Sequence, residues 1–495
     1  MQLVKLLENY KYKIIHGNID KQITSIAYNS KDVQKNGVFV AIKGFTTDGH
    51  KYIKNAIANE ASVIFVEDIP NIQLDNHITM IQVEDTRVLL AHIANVFFER
   101  PSENLKITGI TGTNGKTSIS FFLHSILLEA KRSVSMLGTT GLYKNNQLVP
   151  KKFSTVTTPE AIDLQHLLHE LVKEDFDNFI MEVSSHGLEL HRVSSVNFHT
   201  GMFNNLSADH LELHKNFKQY FQAKASLFDL TTHHNIVNVD DPYGKKLASS
   251  LQNKDVPLTT VGIKEHADIM AKNIEHSFHK TTYTLQTPTY EANITIYTPG
   301  QVYVYNSLMA IAAAYFEEIP KQIIQDGLAK MKNIPGRFNI VYEQNHYRVI
   351  IDFAHTDHAL QTLLETVKPL VKGRLILVFG VYANMSPQGQ QKRFSMGKTA
   401  GKYADYSIVT LDNPKHFDQD IIMSQIREGV ETETKDYTVI YDREEAIRHA
   451  ISVSGTDDTI IITGKGHETT QLIGDEEIPI DETKIVLDSL KKGIF

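Results

Sequence analysis

The sequence predicts an α/β fold of three domains: a central P-loop-type, mostly parallel sheet, an α/β unit before it and a Rossmann-like unit after it. Three observations predict this. A glycine turn, Gly112-Thr113-Asn114-Gly115-Lys116-Thr117-Ser118, stands between the apolar run ending at Thr111 and the amphipathic segment Ile119 to Leu128. Strand, turn and helix in that order aim backbone N–H groups and the positive end of a helix dipole at one anion. Short β-rich runs alternate with helical patterns along the whole chain, and 495 residues is material for roughly three domains of about 150 residues each.

Taken in order, residues 1–100 carry strand patterns at Ser25 to Tyr28, Gly37 to Ile42, Ser62 to Val66 and Met80 to Val83. Helical patterns run from Tyr52 to Asn59 and Thr86 to Phe98, and Pro101 closes the unit. Residues 101–335 repeat the alternation at larger scale, with the cradle strand followed by Asn178 to Val183, Thr200 to Asn204 and Asn235 to Val239. Parallel βαβ units, with ligands at the carboxyl ends of the strands, are the natural solution. Lys272 to Thr298 alternates polar and apolar residues and reads as an antiparallel edge; a helix follows from Tyr305 to Phe316. The turn Ile334-Pro335-Gly336-Arg337 opens a third unit, residues 336–495, with strands at Val349 to Asp352, Arg374 to Phe379, Tyr406 to Thr410 and Thr459 to Thr463. No repeat or low-complexity linker separates the units, so a nucleotide is expected between the second and the third.

Composition narrows the function. With 50 basic and 58 acidic residues the net charge is -8, which gives no nucleic-acid or membrane-surface footprint and points to small-molecule partners. Cysteine is absent, so disulfides, thiolate nucleophiles and cysteine zinc sites are excluded together. There is no signal peptide pattern and no apolar run of about 18 residues, and a cytoplasmic protein is expected.

The glycine turn divides its labour by residue type. Lys116 reaches the terminal phosphates of a nucleotide and the Thr117 hydroxyl holds Mg²⁺, as in a P-loop, although Ile110 stands where the strict pattern has glycine. Glu182-Val183-Ser184-Ser185-His186 ends a strand with a carboxylate, hydroxyls and an imidazole, suited to metal and phosphate or sugar contacts. His210 and His214 are spaced for zinc on a helix, but no His-Glu-x-x-His motif accompanies them. Lys224 lies among small and apolar residues, where burial would expose a neutral amine. Asp352-Phe353-Ala354-His355-Thr356 closes a strand of the third unit with groups able to meet a nucleotide.

Together these stretches resemble the Mur ligases, ATP-dependent amide-forming enzymes of peptidoglycan precursor synthesis. The resemblance covers essentially the whole chain, through Thr111 to Thr117, Glu182 to His186, Asp209-His210-Leu211, Asn238 to Pro242, Tyr305-Asn306, Gly336-Arg337-Phe338 and Asp352 to Thr356. Asp48-Gly49-His50, Thr157-Thr158-Pro159-Glu160, Asp412-Asn413-Pro414 and Gly464-Lys465-Gly466-His467-Glu468 look like the member that adds a third residue, meso-diaminopimelate or L-lysine, to UDP-N-acetylmuramoyl-L-alanyl-D-glutamate. The resemblance implies ATP and Mg²⁺ as cofactors, with Lys116, Glu182, His210 and Lys224 as catalytic residues. Thr117 and Glu182 would hold one metal, His210 and Lys224 a second, with Lys224 carbamylated. It implies that Gly112 to Ser118, Asn306, Arg337 and Asp352 bind ATP. Ser30, Thr157, Thr158, Ser184 and Arg192 would grip the UDP-sugar peptide, and His355, Asp412, Asn413, Lys415, Gly464 and Glu468 complete the substrate sites. The domains would then bind UDP-sugar, ATP and amino acid in chain order, in a monomer.

The departures gather at the amino-acid end. Where the family typically continues Cys-Gly-Gly-Asp-Arg-Asp, this chain reads Val381-Tyr382-Ala383-Asn384-Met385-Ser386 before Lys392-Arg393. Met385 cannot form the bidentate pair of the arginine it replaces, and Lys415 puts a point charge where diaminopimelate enzymes carry arginine. Leu190, Tyr303 and Asp357-His358 also depart from the family pattern. Two alternatives follow: a divergent paralogue joining a different carboxylate and amine, and a non-catalytic protein that binds UDP-sugar or nucleotide.

Overall fold

The computed structural model describes residues 1–491 except 45, 46, 152, 154, 156, 208–213 and 215, and its fold is the expected three-part α/β architecture. The first sheet has five strands in the order Lys13–His16, Thr79–Gln82, Ala61–Val66, Gly37–Val40 and Ile26–Ala27, parallel except for the first. Ala61–Val66 is buried along its whole length, as a parallel strand covered on both faces must be. Beside it lies the helix Thr86–Phe97, whose start is fixed by the Asp85 carboxylate accepting from the N–H groups of Arg87 and Val88 at 2.8 and 3.0 Å. That is an N-cap, which satisfies donors the helix cannot.

The second sheet has eleven strands. Its middle is the cradle strand Lys106–Thr111, flanked in parallel by Asn178–Glu182 and Phe198–Phe203. Both margins turn antiparallel: Ile269–His276, Thr281–Gln286 and Glu291–Ile296 on one side, as the alternation predicts, and Val134–Gly138, Gly141–Lys144 and Gln147–Val149 on the other. The helix Gln301–Phe316 begins before Tyr305, at the break made by Gly300 with φ +111°. The third sheet runs Asn339–Gln344, Tyr347–Asp352, Thr459–Thr463, Leu375–Phe379, Tyr406–Val409 and Tyr437–Val439, parallel after its first pair.

One apolar cluster joins the second and third units. It takes Ile126, Leu308 and Ile324 from the central helices and Ile350, Leu364 and Leu375 from the third unit. The carboxyl ends of both sheets thereby face one region, which is where α/β sheets place their ligands. Among the described residues no helix is long and apolar enough to cross a membrane.

Candidate active site

The site is built outward from the turn after the cradle strand. Gly115 caps the helix Lys116–Glu129 with φ +92°, and a Cβ there would lie 2.3 Å from Asn306 Oδ1 and 2.4 Å from Asn204 Nδ2. Only glycine leaves room for that amide pair, in which Asn204 Nδ2 donates to Asn306 Oδ1 at 3.0 Å. Asn205 takes the N–H groups of Thr113, through its backbone carbonyl, and of Asn114, through its side chain, both at 2.9 Å. The front of the turn is thus braced, and the helix's first turn is left to face the cavity. Thr113 turns its hydroxyl inward to Tyr220, 3.1 Å away. Lys116 folds back onto its own loop, donating to the carbonyls of Gly112 and Thr113 at 3.0 and 3.1 Å.

Glu182 ends its strand 1% exposed. Its Oε1 accepts from the Thr117 hydroxyl at 2.9 Å and the Thr139 N–H at 3.2 Å, and its Oε2 accepts from the Thr139 hydroxyl at 3.1 Å. Gly138 permits this approach, since a Cβ there would stand 2.1 Å from Oε1. Arg337 arrives from the third unit and donates to Thr117 Oγ1 at 3.3 Å, its guanidinium 4.7 Å from the centre of the Phe353 ring. These groups line a cavity of about 470 Å³ together with Thr157, Ser184, Arg192 and His355. Ser184 and Thr158 bind each other, with Thr158 Oγ1 accepting from the Ser184 N–H at 3.0 Å.

A second cavity of about 90 Å³ adjoins it, lined by Ser118, Tyr303, Asn306, Phe338, Asp352 and His358 among others. Burial pushes the Asp352 carboxyl up, opposed by Arg337 and by the N–H groups of Phe338 and Ala354. Lys224 lies beneath the turn, 1% exposed, donating to the Gly112 carbonyl at 2.9 Å with its amine 4.8 Å from the Tyr220 ring centre.

The remaining expected residues fall in two further places. Ser30 lines a cavity of about 610 Å³ in the first unit with Arg87 and Glu160. Glu160 leads from there toward the 470 Å³ cavity, because it faces Arg87 at 4.0 Å and Arg192 at 2.8 Å. Asp412, Asn413 and Glu468 surround the fully buried Lys465, which donates to Asn413 Oδ1 at 3.0 Å and lies 3.4 Å from each carboxylate. Burial pushes Glu468 up, against the pull of Lys465. Gly464 presses on Asp412, and the Lys415 N–H is spent on the Leu472 carbonyl at 3.0 Å. Met385 is 40% exposed. His210 lies outside the described residues. Thr139, Asn204 and Asn205 carry much of the geometry without having been expected: a threonine after a glycine, or two asparagines after a strand, give no local signal of what they will meet.

A glycine turn and helix start between two α/β units, with a buried carboxylate beside the turn's threonine, have the geometry of an anion-binding site of the P-loop class. Mur ligase domains match along the chain: the family's catalytic domain over residues 22–98, the middle domain over 110–314 and the glutamate ligase domain over 336–466. The chain belongs to the Mur ligase family, whose members are ATP-dependent ligases that form peptide bonds. It is 40% identical over 492 residues, 99% of this chain and 100% of the relative, to the UDP-N-acetylmuramoyl-L-alanyl-D-glutamate--2,6-diaminopimelate ligase of Clostridioides difficile. It is also 40% identical over 494 residues, all of both chains, to the protein of the same name from Caldanaerobacter subterraneus. A solved structure bearing that name superposes with a TM-score of 0.68 at 26% identity, covering 96% of this chain and 97% of the other. MurF from Acinetobacter baumannii shares the fold, with a TM-score of 0.67 at 18% identity over 99% of this chain and 98% of the other.

Proposed function

We propose that the chain joins a diamino acid, 2,6-diaminopimelate or another such as L-lysine, to the glutamyl carboxylate of UDP-N-acetylmuramoyl-L-alanyl-D-glutamate, with ATP converted to ADP and phosphate. The observation that carries this is the 470 Å³ cavity, where Lys116, Arg192 and Arg337 surround the clamped Glu182. A reaction between a carboxylate and a triphosphate brings two anions together, and cations held in place beforehand are what such a step requires. A carboxylate oxygen attacks the γ-phosphorus, the bond to ADP breaks, and an acyl phosphate forms. The amine then attacks the acyl carbon, the C–O bond to phosphate breaks, and the amine's proton leaves with solvent.

The chain's own groups have separable tasks in this reading. Lys116 exchanges the carbonyls of its loop for the β- and γ-phosphates, and Arg337 neutralises charge from the third unit. Asn306 and Asp352 flank the smaller cavity, which takes the nucleoside. The cavity at Ser30 receives the uridine end of the substrate, and Thr157, Thr158, Ser184 and Arg192 hold its sugar peptide. Asp412, Asn413, Lys415, Gly464 and Glu468, with His355, receive the amino acid, whose distal ammonium group pairs with Glu468. The domain limits are those of residues 1–100, 101–335 and 336–495, and the protein acts as a cytoplasmic monomer.

The donor set fits Mg²⁺. Among the described residues no three His, Cys, Asp or Glu side chains form a metal cage, while Thr117 and Glu182 offer one hydroxyl and one carboxylate beside the phosphate site. Mg²⁺ is commonly held by one or two carboxylates plus substrate phosphates, and bound there it would neutralise phosphate charge. A carbamate on Lys224 fits too: it keeps an N–H for the Gly112 carbonyl and adds an anion near Lys116, with His210 as its expected neighbour.

A second reading, favoured by the exposed Met385 and by Lys415, is a divergent paralogue that joins a different carboxylate and amine. Purified protein with ATP, Mg²⁺ and the UDP-sugar dipeptide tests both readings against meso-diaminopimelate, L-lysine and L-ornithine, with product mass as the readout. A tripeptide product from one of them establishes the reaction and its specificity; no product from any overturns it.

A further inference from the structure

Lys465 is wholly shut from solvent beneath the proposed amino-acid pocket. It stands between Gly464, with φ +113°, and Gly466, with φ +60°, two left-handed positions that turn the chain sharply at the end of the strand Thr459–Thr463. Its ammonium donates to the Thr470 carbonyl at 2.9 Å, to Asn413 Oδ1 at 3.0 Å and to Glu468 Oε2 at 3.4 Å, and Asp412 Oδ1 lies 3.4 Å away. Asn413 Oδ1 is itself fixed, because it also accepts from the Leu472 N–H at 2.9 Å. Of the two carboxylates only Glu468 opens to solvent, its side chain 37% exposed against 6% for Asp412.

A cation beneath a pocket for a substrate cation would repel it, but the charges count the other way. Two carboxylates around one buried ammonium leave a negative charge over, which matches the distal ammonium group of a diamino acid. Without Lys465 the two acids would face each other alone, and neighbouring carboxylates in a poorly solvated site do not both stay ionised. Glu468 is the one that would yield: burial pushes it up, Lys465 opposes that and Asp412 adds to it. Those are the charged groups facing it, Lys465 from its own loop and Asp412 from the loop beyond the strand Tyr406–Val409. We propose that Lys465 is a positioning residue for the incoming amino acid: by gathering Asp412, Asn413 and Glu468 around its ammonium, it presents the Glu468 carboxylate to the substrate's distal ammonium group. This rests on the diamino-acid reading above.

The test measures KM for ATP, the UDP-sugar dipeptide and the amino acid that gives most product with the unaltered protein, and repeats this with Lys465→Met, which keeps an unbranched stem and loses the charge. KM for the amino acid should rise about tenfold, the scale of one charge-assisted hydrogen bond. KM for ATP and for the UDP-sugar dipeptide should stay within about twofold. Taken as a ratio to the unaltered protein, the rise should shrink as pH goes from about 6.5 to about 8.5, because base restores the Glu468 charge that the lysine no longer protects. In a Glu468→Gln background the same substitution should add less than about threefold, since the carboxylate it acts through is gone. Should Lys465→Met fail to fold, Lys465→Gln takes its place as a neutral donor in the same seat. An unchanged KM, a KM raised alike for all three substrates, a ratio independent of pH, or a rise undiminished in the Glu468→Gln background overturns the positioning role alone. An unaltered protein that forms no product with meso-diaminopimelate, L-lysine or L-ornithine overturns the diamino-acid reading, and the positioning role with it.

Discussion

Lys116 and Lys224 donate to the same atom, the carbonyl oxygen of Gly112, at 3.0 and 2.9 Å. Two amines converging on one acceptor repel if both are charged, and a charge change on either alters the loop that both support. Replacing Lys224 with alanine removes the inner of the two. Amide formation is expected to be abolished while UDP-sugar binding survives, and excess bicarbonate is expected not to restore turnover. Product mass and calorimetric UDP-sugar binding measure the two halves; near-normal turnover would refute the role given to Lys224.

Gly115→Ala places a Cβ against the Asn204–Asn306 pair and forces a left-handed conformation that costs about 1–2 kcal/mol for a residue with a Cβ. ATP affinity is expected to fall by at least about tenfold, with the proposed UDP-sugar site at Ser30 and Arg192 little changed. Isothermal titration of each ligand separately decides it, and equal losses for both would mean general unfolding instead.

Met385→Arg restores a planar fork at an exposed position beside the proposed amino-acid pocket. A bidentate pair with a carboxylate is worth on the order of 1.5–3 kcal/mol, so kcat/KM for diaminopimelate should rise about tenfold or more over that for L-lysine. An unchanged ratio would show that this pocket receives its carboxylate elsewhere.

Acid should destabilise the protein in a window set by buried histidines. Burial holds His124, His234 and His467 down from the ordinary 6.5 to about 4 in the fold. The unfolded chain therefore binds protons that the native state refuses, and stability, fully present above about pH 6.5, is lost as pH falls from there toward 4. Each histidine contributes at most on the order of 3 kcal/mol. Glu317, held down to about 2 by His199, against burial, and by Lys106, adds a further loss between its ordinary value of 4.5 and 2. Urea denaturation across pH 7 to 4.5 should show the decline, and His124→Leu should flatten its slope; a level profile would contradict the assignment.

The fold was legible because its signals are local: apolar runs bounded by turns mark the strands, and helical periodicity marks Thr86–Phe97 and most of Lys116–Glu129. The strands Lys13–His16 and Gln147–Val149 were not, being short, partly exposed and ordered only by their partners. At the candidate site, the placing of Lys116 and Thr117 at a helix start after a strand followed from the glycine turn itself. Thr139 and Asn205 could not be read this way, since each meets a group tens of residues away and nothing in its neighbours says so. Lys224 shows the limit from the other side: its spacing alone reads as a surface lysine, and both its burial and its partner, the Gly112 carbonyl, belong to tertiary structure.

The hydrogen bond from Arg337 to Thr117 spans 220 residues. During synthesis the nucleotide loop leaves the ribosome long before the groups that make it reactive. The contact between the second and third units at Thr117 is therefore completed late in the making of the chain, only after the third unit has begun.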